Sequence, residues 1–288
     1  MDDGTGRCSR ILIATFYFSL IGLLTGCTNK LSHKNTQDST ISKNVVIDNA
    51  SSTKFTRAFV YDTSKRYVYL TLDDGPQPGT MNCYHTLKNL DVKASFFMIG
   101  VHASEKYETS RKDSILNSYP EFALCNHSYT HANYNHYKSF YEHPDSAYRD
   151  ILKAQYSLGG NVKIVRMPGN SSWVDANEVK AGKLTKPLCL KLDSAGYKVA
   201  GWDLEWRFKN SKGGTVPVQS AGKFIEEVET AINNDHSFTK RNFVILAHDR
   251  MFATKQYADS LSKVISALKA DPRIVFETID HYPPFANK

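Results

Sequence analysis

Tyr67-Val68-Tyr69-Leu70-Thr71-Leu72-Asp73-Asp74-Gly75-Pro76-Gln77-Pro78-Gly79 begins as a strand and ends as a turn. Its first six residues are aromatic, β-branched or leucine, the composition of a buried strand. Two adjacent carboxylates, Asp73 and Asp74, then meet Gly75-Pro76, a pair that stops a central strand. A strand of this kind delivers its acids to a barrel rim or a sheet edge. Neighbouring carboxylates repel, so keeping both ionised calls for a metal ion or an arginine. Asp-Gly-Pro is also ordinary turn chemistry, so the meaning of the pair depends on the rest of the chain.

Outward from this stretch, strand and helix patterns alternate. Strands are expected at 67–72, 94–99, 121–126, 162–166, 197–202, 242–246 and 274–278. Helices are expected at 78–90, 107–118, 146–158, 187–195, 224–234 and 257–269. Such alternation argues for an α/β fold with a parallel sheet or barrel. Its chemistry then sits on the loops after the strand C-terminal ends.

The polar clusters all fall at such ends. In His127-Ser128-Tyr129-Thr130-His131 the two histidines are four apart, the spacing of one face of a helical turn, so both imidazoles reach one ion. With Asp74 they offer two nitrogens and one oxygen and leave a position for water or substrate, as in a catalytic site. His136 and His143 lack this spacing and read as loop residues. Arg166-Met167-Pro168-Gly169-Asn170 follows a strand, where an arginine can hold a carboxylate ionised. Gly169 permits close backbone approach, which suits a main-chain N–H facing an oxyanion. Trp202-Asp203-Leu204-Glu205-Trp206 combines acids with aromatic faces, as a sugar site does, although core filling competes, above all for Trp202. Val244-Ile245-Leu246-Ala247-His248-Asp249 is a buried strand ending in one histidine. A carboxylate such as Glu205 would keep His248 protonated, as a general acid requires.

The 288 residues are 41% hydrophobic and 23% charged, with a formal net charge of +7. The positive charges are spread out and form no basic run interleaved with aromatics, so nucleic acid is not an expected partner. A mild positive excess suits anionic cell-envelope surfaces. Arg7 and Arg10 precede an apolar run, Ile11 to Leu24, that closes in Leu24-Thr25-Gly26-Cys27. This is the layout of a secretory signal, and the run falls short of the about 20 residues of a spanning helix. The ending resembles a bacterial lipoprotein signal, cleaved so that Cys27 becomes the lipidated first residue; a plain secretion signal or an uncleaved anchor competes. The expected organisation is a signal at 1–26, a tether at 27–58 rich in Asn, Ser, Thr and Lys, and one domain at 59–288. The expected location is the cell envelope, lipid-anchored and facing outside the cytoplasm. Cys83, Cys125 and Cys189 show no CxxC spacing, so a cysteine zinc site is not expected. Export would permit one disulfide among them without choosing a pair.

In this order and at these spacings the five clusters resemble the polysaccharide deacetylase family, the family 4 carbohydrate esterases that share the NodB homology domain. Thr71-Leu72-Asp73-Asp74-Gly75-Pro76 is similar to the family's Thr-Phe-Asp-Asp-Gly-Pro, and His127 to His131 to its His-Ser/Thr-x-x-His. The resemblance runs from about Tyr67 to Phe276. It implies a distorted (β/α)7 barrel and metal-dependent N-deacetylation of a glycan, an amide hydrolysis. It further implies Asp73 as general base, and Asp74, His127 and His131 as ligands of zinc, with cobalt, nickel or manganese as alternatives. Arg166 would hold Asp73, His248 would be the general acid tuned by Glu205, and Gly169 would lend its N–H. Trp206 and Leu246 would wall the acetyl-methyl pocket. Three departures stand out: Gly169 replaces a tyrosine, Glu205-Trp206 replaces Asp-Trp, and Leu72 replaces a phenylalanine. The expected partners are an N-acetylated glycan, peptidoglycan before chitin-like polymers, and a membrane through the N-terminal lipid; a monomer is expected. The rivals are an O-acetyl glycan esterase and a catalytically dead glycan-binding lipoprotein.

Overall fold

The computed structural model describes residues 59–286 apart from 161, 176 and 177, so the expected signal, Cys27 and the tether lie outside the described residues. The sheet is built on β1 (Arg66–Gly75), buried along all but its first residue. It is followed by β2 (Ala94–Met98), β3 (Phe122–Asn126), β4 (Ile164–Val165), β5 (Trp173–Val174), β6 (Val179–Lys180), β7 (Lys198–Val199) and β8 (Leu204–Glu205). The series ends with β9 (Phe208–Ser211), β10 (Gly214–Pro217), β11 (Asn242–His248) and β12 (Ile274–Phe276).

Seven strands run parallel in the order β7-β4-β3-β2-β1-β11-β8, the distorted barrel expected from the sequence. Among the described residues no backbone pairing joins β7 to β8. Residues 200–203 carry the chain across that gap, and Ser171 Oγ ties it by accepting the Trp202 N–H at 3.1 Å. The β5–β6 hairpin pairs antiparallel with β7. β12 takes the lower end of β1, from Arg66 to Val68, while β2 takes its upper end.

Side chains alternate along β1 as a pleated strand requires. Val68, Leu70 and Leu72 pack into the helix-facing core, and Tyr67 and Tyr69 into the barrel interior. Outside the sheet the six expected helices form at Thr80–Asn89, Thr109–Leu116, Pro144–Leu158, Lys186–Ser194, Ala221–Asn233 and Lys255–Lys269. Ala221–Asn233 buries Phe224, Val228 and Ala231, one stripe at helical spacing, and Ser220 caps its start by accepting the Lys223 N–H. Pro144–Leu158 starts on proline and stops at Gly159, whose φ of 64° terminates the helix.

Among the strands, the β5–β6 hairpin, β8 and the β9–β10 hairpin were not read from the pattern. The strand expected at 197–202 ends at Val199, and the chain re-enters the sheet on its far edge as β8. Cys83, Cys125 and Cys189 are all buried and free, so the disulfide that export would permit does not form among them.

Candidate active site

A cavity of about 510 Å³ opens at the C-terminal ends of the parallel strands, lined among others by Asp73, Asp74, His127, His131, Glu205 and His248. Adjacent strand residues normally point to opposite faces. Asp74 breaks that rule: its φ is 75° and the pairing of β1 with β2 slips between Asp73 and Gly75. The backbone reversal lets both carboxylates line the same cavity.

Asp73 Oδ1 accepts from Arg166 Nη1 at 2.8 Å. Arg166 is wholly buried, and donates also to Thr71 Oγ1 and to the Gly201 carbonyl. Its guanidinium lies over the Phe97 ring at 4.2 Å. A charge so fully bonded cannot leave Asp73 without stranding its donors. Asp73 Oδ2 lies 3.7 Å from His127 Nε2.

Asp74 Oδ2 accepts from Arg250 Nη2 at 2.7 Å. Its Oδ1 is buried without a hydrogen-bond partner among the described residues, 3.5 Å from His127 Nε2 and 3.2 Å from His131 Nε2. The tautomers explain this. His127 Nδ1 donates to the Arg166 carbonyl at 3.0 Å and His131 Nδ1 to Asn135 Oδ1 at 2.6 Å. Each histidine then turns an Nε2 lone pair toward Asp74 Oδ1. These three atoms lie within 4.8 Å of one another. Lone pairs converge in this way around a cation, and the orphaned Oδ1 fits a metal ligand. Burial alone would raise the Asp74 carboxyl; when no ion is held and the two rings are protonated, their Nε2–H groups face Oδ1 instead and hold that carboxyl well below the usual carboxylate range.

The two histidines do not share the right-handed helical turn expected from their spacing. His127 follows β3 directly, Ser128 has φ 64°, and His131 to Asn135 all have positive φ. Side-chain acceptors fix the residues that lead into this left-handed segment, which keeps a backbone bond of its own from the Tyr134 N–H to the Thr130 carbonyl. Asn126 Oδ1 takes the Ser128 N–H, and Asp150 takes the N–H groups of Tyr129 and Thr130 and the Thr130 hydroxyl.

The parallel register sets His248 opposite Asp73. Phe208 meets its ring edge-on at 4.6 Å, and its Nδ1 is buried without a partner among the described residues. Burial pushes the His248 imidazole below its ordinary value, with Asp74 and Asp73 pulling the other way. The expected pairing with Glu205 is not present: no hydrogen bond or ion pair between described residues joins them. Glu205 stands level with Leu246, two residues short of His248, and burial raises its carboxyl.

Trp206 also departs from expectation. It is buried in the helix-facing core, stacked on Phe224 at 4.8 Å, and its Nε1 donates to the Gln219 carbonyl. Alternation along β8 explains it: Glu205 faces the cavity, so Trp206 faces outward. Trp202, Phe208 and Leu246 supply the apolar wall. Gly169 lines the cavity with φ 65°. Sequence reasoning missed Arg250, Phe208 and Asn135. Arg250 sits two residues after His248 and was visible as a cation at a strand end; Phe208 belongs to an unread hairpin, and Asn135 carries no local signal.

Residues 60–184 match the family model described as polysaccharide deacetylase. The chain is 30% identical over 191 residues to YheN of Bacillus subtilis, a polysaccharide deacetylase by name, covering 63% of this chain and 57% of YheN. It is 29% identical over 188 residues to the peptidoglycan-N-acetylglucosamine deacetylase of Bacillus cereus, covering 64% and 60%. The matches thus span less than two thirds of both relatives. The solved Bc1960 peptidoglycan N-acetylglucosamine deacetylase superposes with a TM-score of 0.54 at 24% identity, over 77% of this chain and 88% of its own. A Streptococcus mutans CE4 esterase gives 0.57 at 18% identity, over 74% and 86%. Residues 60–184 are thus similar to polysaccharide deacetylases, and the described residues share the distorted (β/α)7 fold of the solved deacetylase and CE4 esterase.

Proposed function

We propose that this chain is a metal-dependent hydrolase that removes N-acetyl groups from an N-acetylglucosamine-containing glycan, peptidoglycan before a chitin-like polymer. The observation that carries the reading is the convergence of Asp74 Oδ1, His127 Nε2 and His131 Nε2 beside Asp73 in an open cavity at the strand ends. Two relatives named for peptidoglycan deacetylation support the substrate class. One oxygen and two imidazole nitrogens suit zinc, with cobalt, nickel or manganese as alternatives.

A bound dication would polarise the acetyl carbonyl and make a water acidic near neutral pH. Asp73, with one oxygen fixed by Arg166, takes a proton from the attacking water on the other. The Gly169 N–H stabilises the oxyanion that forms. His248 gives a proton to the departing amine, which leaves as the free amino sugar beside acetate. Because burial favours the neutral imidazole, His248 must receive that proton during the reaction, and Asp73 across the β1–β11 register carries one. Leu246 and Phe208 wall the acetyl methyl. Lipidation at Cys27 would hold the domain at the envelope, outside the cytoplasm, where such a polymer lies.

The test is acetate release from N-acetylglucosamine oligomers and from peptidoglycan, with zinc and with chelator. Zinc-dependent release is expected. Release confined to O-acetyl glycans, or none from a zinc-loaded protein, would sink the proposal.

A further inference from the structure

Arg250 grips the metal-site carboxylate, and the mechanism above leaves it without a task. Its Nη2 donates to Asp74 Oδ2, its guanidinium lies 5.6 Å from the Phe208 ring centre, and a third of its side chain is exposed at the cavity. Its root is fixed, because the preceding residue, Asp249, is wholly buried and bonded to Gln77 and Thr80. The two carboxylates of the site are therefore each held by one arginine. The grips differ: Arg166 is also bonded to Thr71 and Gly201, whereas Arg250 Nε is buried without a partner among the described residues.

We infer that Arg250 is a positioning residue that keeps Asp74 a one-oxygen ligand and sets a permanent positive charge against the metal, so that the site exchanges its ion rather than traps it. The inference rests on the metal-dependent reading. A carboxylate with both oxygens free can embrace a cation. With Oδ2 committed to Arg250, only Oδ1 is left, and Oδ1 is the oxygen without a partner. The guanidinium cannot shed its charge by losing a proton. It draws electron density from the carboxylate and repels a dication bound to the other oxygen, and in a largely buried pair salt screens this weakly. A hydrogen bond to a ligand also orients it, and that effect strengthens metal binding. The two effects have opposite signs. Arg250→Gln separates them, because the amide keeps an N–H donor and removes the charge.

The test is a zinc titration against a chromogenic competing chelator, using the full chain and its Arg250→Gln, Arg250→Met and Arg250→Lys variants. The cobalt absorption spectrum checks that the donor set is unchanged, and melting of the metal-free proteins checks folding. Charge opposition predicts a zinc Kd about tenfold lower in Arg250→Gln, a shift in the same direction in Arg250→Met, and a value within about threefold of the parent in Arg250→Lys. Zinc loss to excess chelator slows in parallel. A Kd unchanged or raised in both neutral variants overturns the inference, as does an equal shift in Arg250→Lys. A parent chain that binds neither zinc nor cobalt overturns the metal-dependent reading itself, which is a separate failure.

Discussion

The ring of Tyr137 fills the space that a side chain on Gly169 would need: a Cβ there would lie 2.9 Å from Tyr137 Cε1, on a backbone with φ 65°. The contact reaches the metal donors. The Tyr137 hydroxyl donates to Asn135 Oδ1 at 2.8 Å, and the same oxygen accepts from His131 Nδ1, fixing the tautomer that frees Nε2. Gly169→Ala therefore strains the backbone by about 1–2 kcal/mol and pushes on this chain of bonds. The expected outcome is a lower melting temperature together with zinc affinity weakened about tenfold. Asn135→Gly tests the link without backbone strain, because glycine accepts the φ of 72° at that position, and should weaken zinc while leaving melting nearly unchanged. Parent-like zinc binding in both variants would show that the ring does not support His131.

Asp73 and Asp74 adjoin in sequence but divide the work, and substitutions should separate them. Asp73 has one oxygen on Arg166 and is absent from the three converging donors. Asp73→Asn is expected to lower kcat by about 10²–10⁴-fold with zinc content retained. Asp74→Asn removes the orphaned oxygen's charge and is expected to lose zinc along with activity. Metal analysis of the purified variants beside acetate release checks both. Loss of zinc from Asp73→Asn would move Asp73 from base to ligand.

The parts of this site that were legible before the fold was known share one property: their signal is local. The apolar run before Asp73, the helix at Ala221–Asn233 and the clusters at strand ends all show in a window of a few residues. The link between His127 and His131 is held at Tyr129 and Thr130 by Asp150, about 20 residues away, so His-x-x-x-His reads as a helical turn until that carboxylate is placed. β8 spans two residues, too few to display alternation, so the outward turn of Trp206 behind an inward Glu205 leaves no sequence signal. Glu205 fell short of His248 because register, which sequence spacing does not reveal, sets it level with Leu246.

That reversal of the tryptophans makes a prediction. Trp206 is 1% exposed and packed between Phe224 and Phe252, so Trp206→Ala opens a core cavity and should destabilise the domain by about 3–5 kcal/mol. Trp202 lines the catalytic cavity, so Trp202→Ala should raise KM for a glycan oligomer with a much smaller loss of stability. Urea unfolding and steady-state kinetics on the pair check this. A raised KM from Trp206→Ala at full stability would return that residue to the pocket wall.

Asp249 gives the fold a pH dependence of its own. It is wholly buried beneath the turn after β1, accepting from Thr80 Oγ1 and Gln77 Nε2, and it packs so close to Gly75 that a Cβ there would lie 2.7 Å from its Oδ2. Burial pushes its carboxyl up to about 7 from an ordinary 3.8, although the Thr80 and Gln77 bonds pull it down. The folded chain thus holds this proton more tightly than the unfolded one. Its contribution to stability is complete below about pH 4 and is lost as the pH climbs toward about 7, a loss of at most about 4 kcal/mol. Asp249→Asn carries no titrating proton and keeps a donor and an acceptor for the same neighbours. Unfolding free energies of parent and variant, measured from pH 4 to pH 7, should therefore diverge in favour of Asp249→Asn as pH rises, the other titrating groups being common to both. A difference that stays constant across that window would mean that Asp249 is ionised in the folded protein, with its charge borne by the Thr80 and Gln77 bonds and by Arg250.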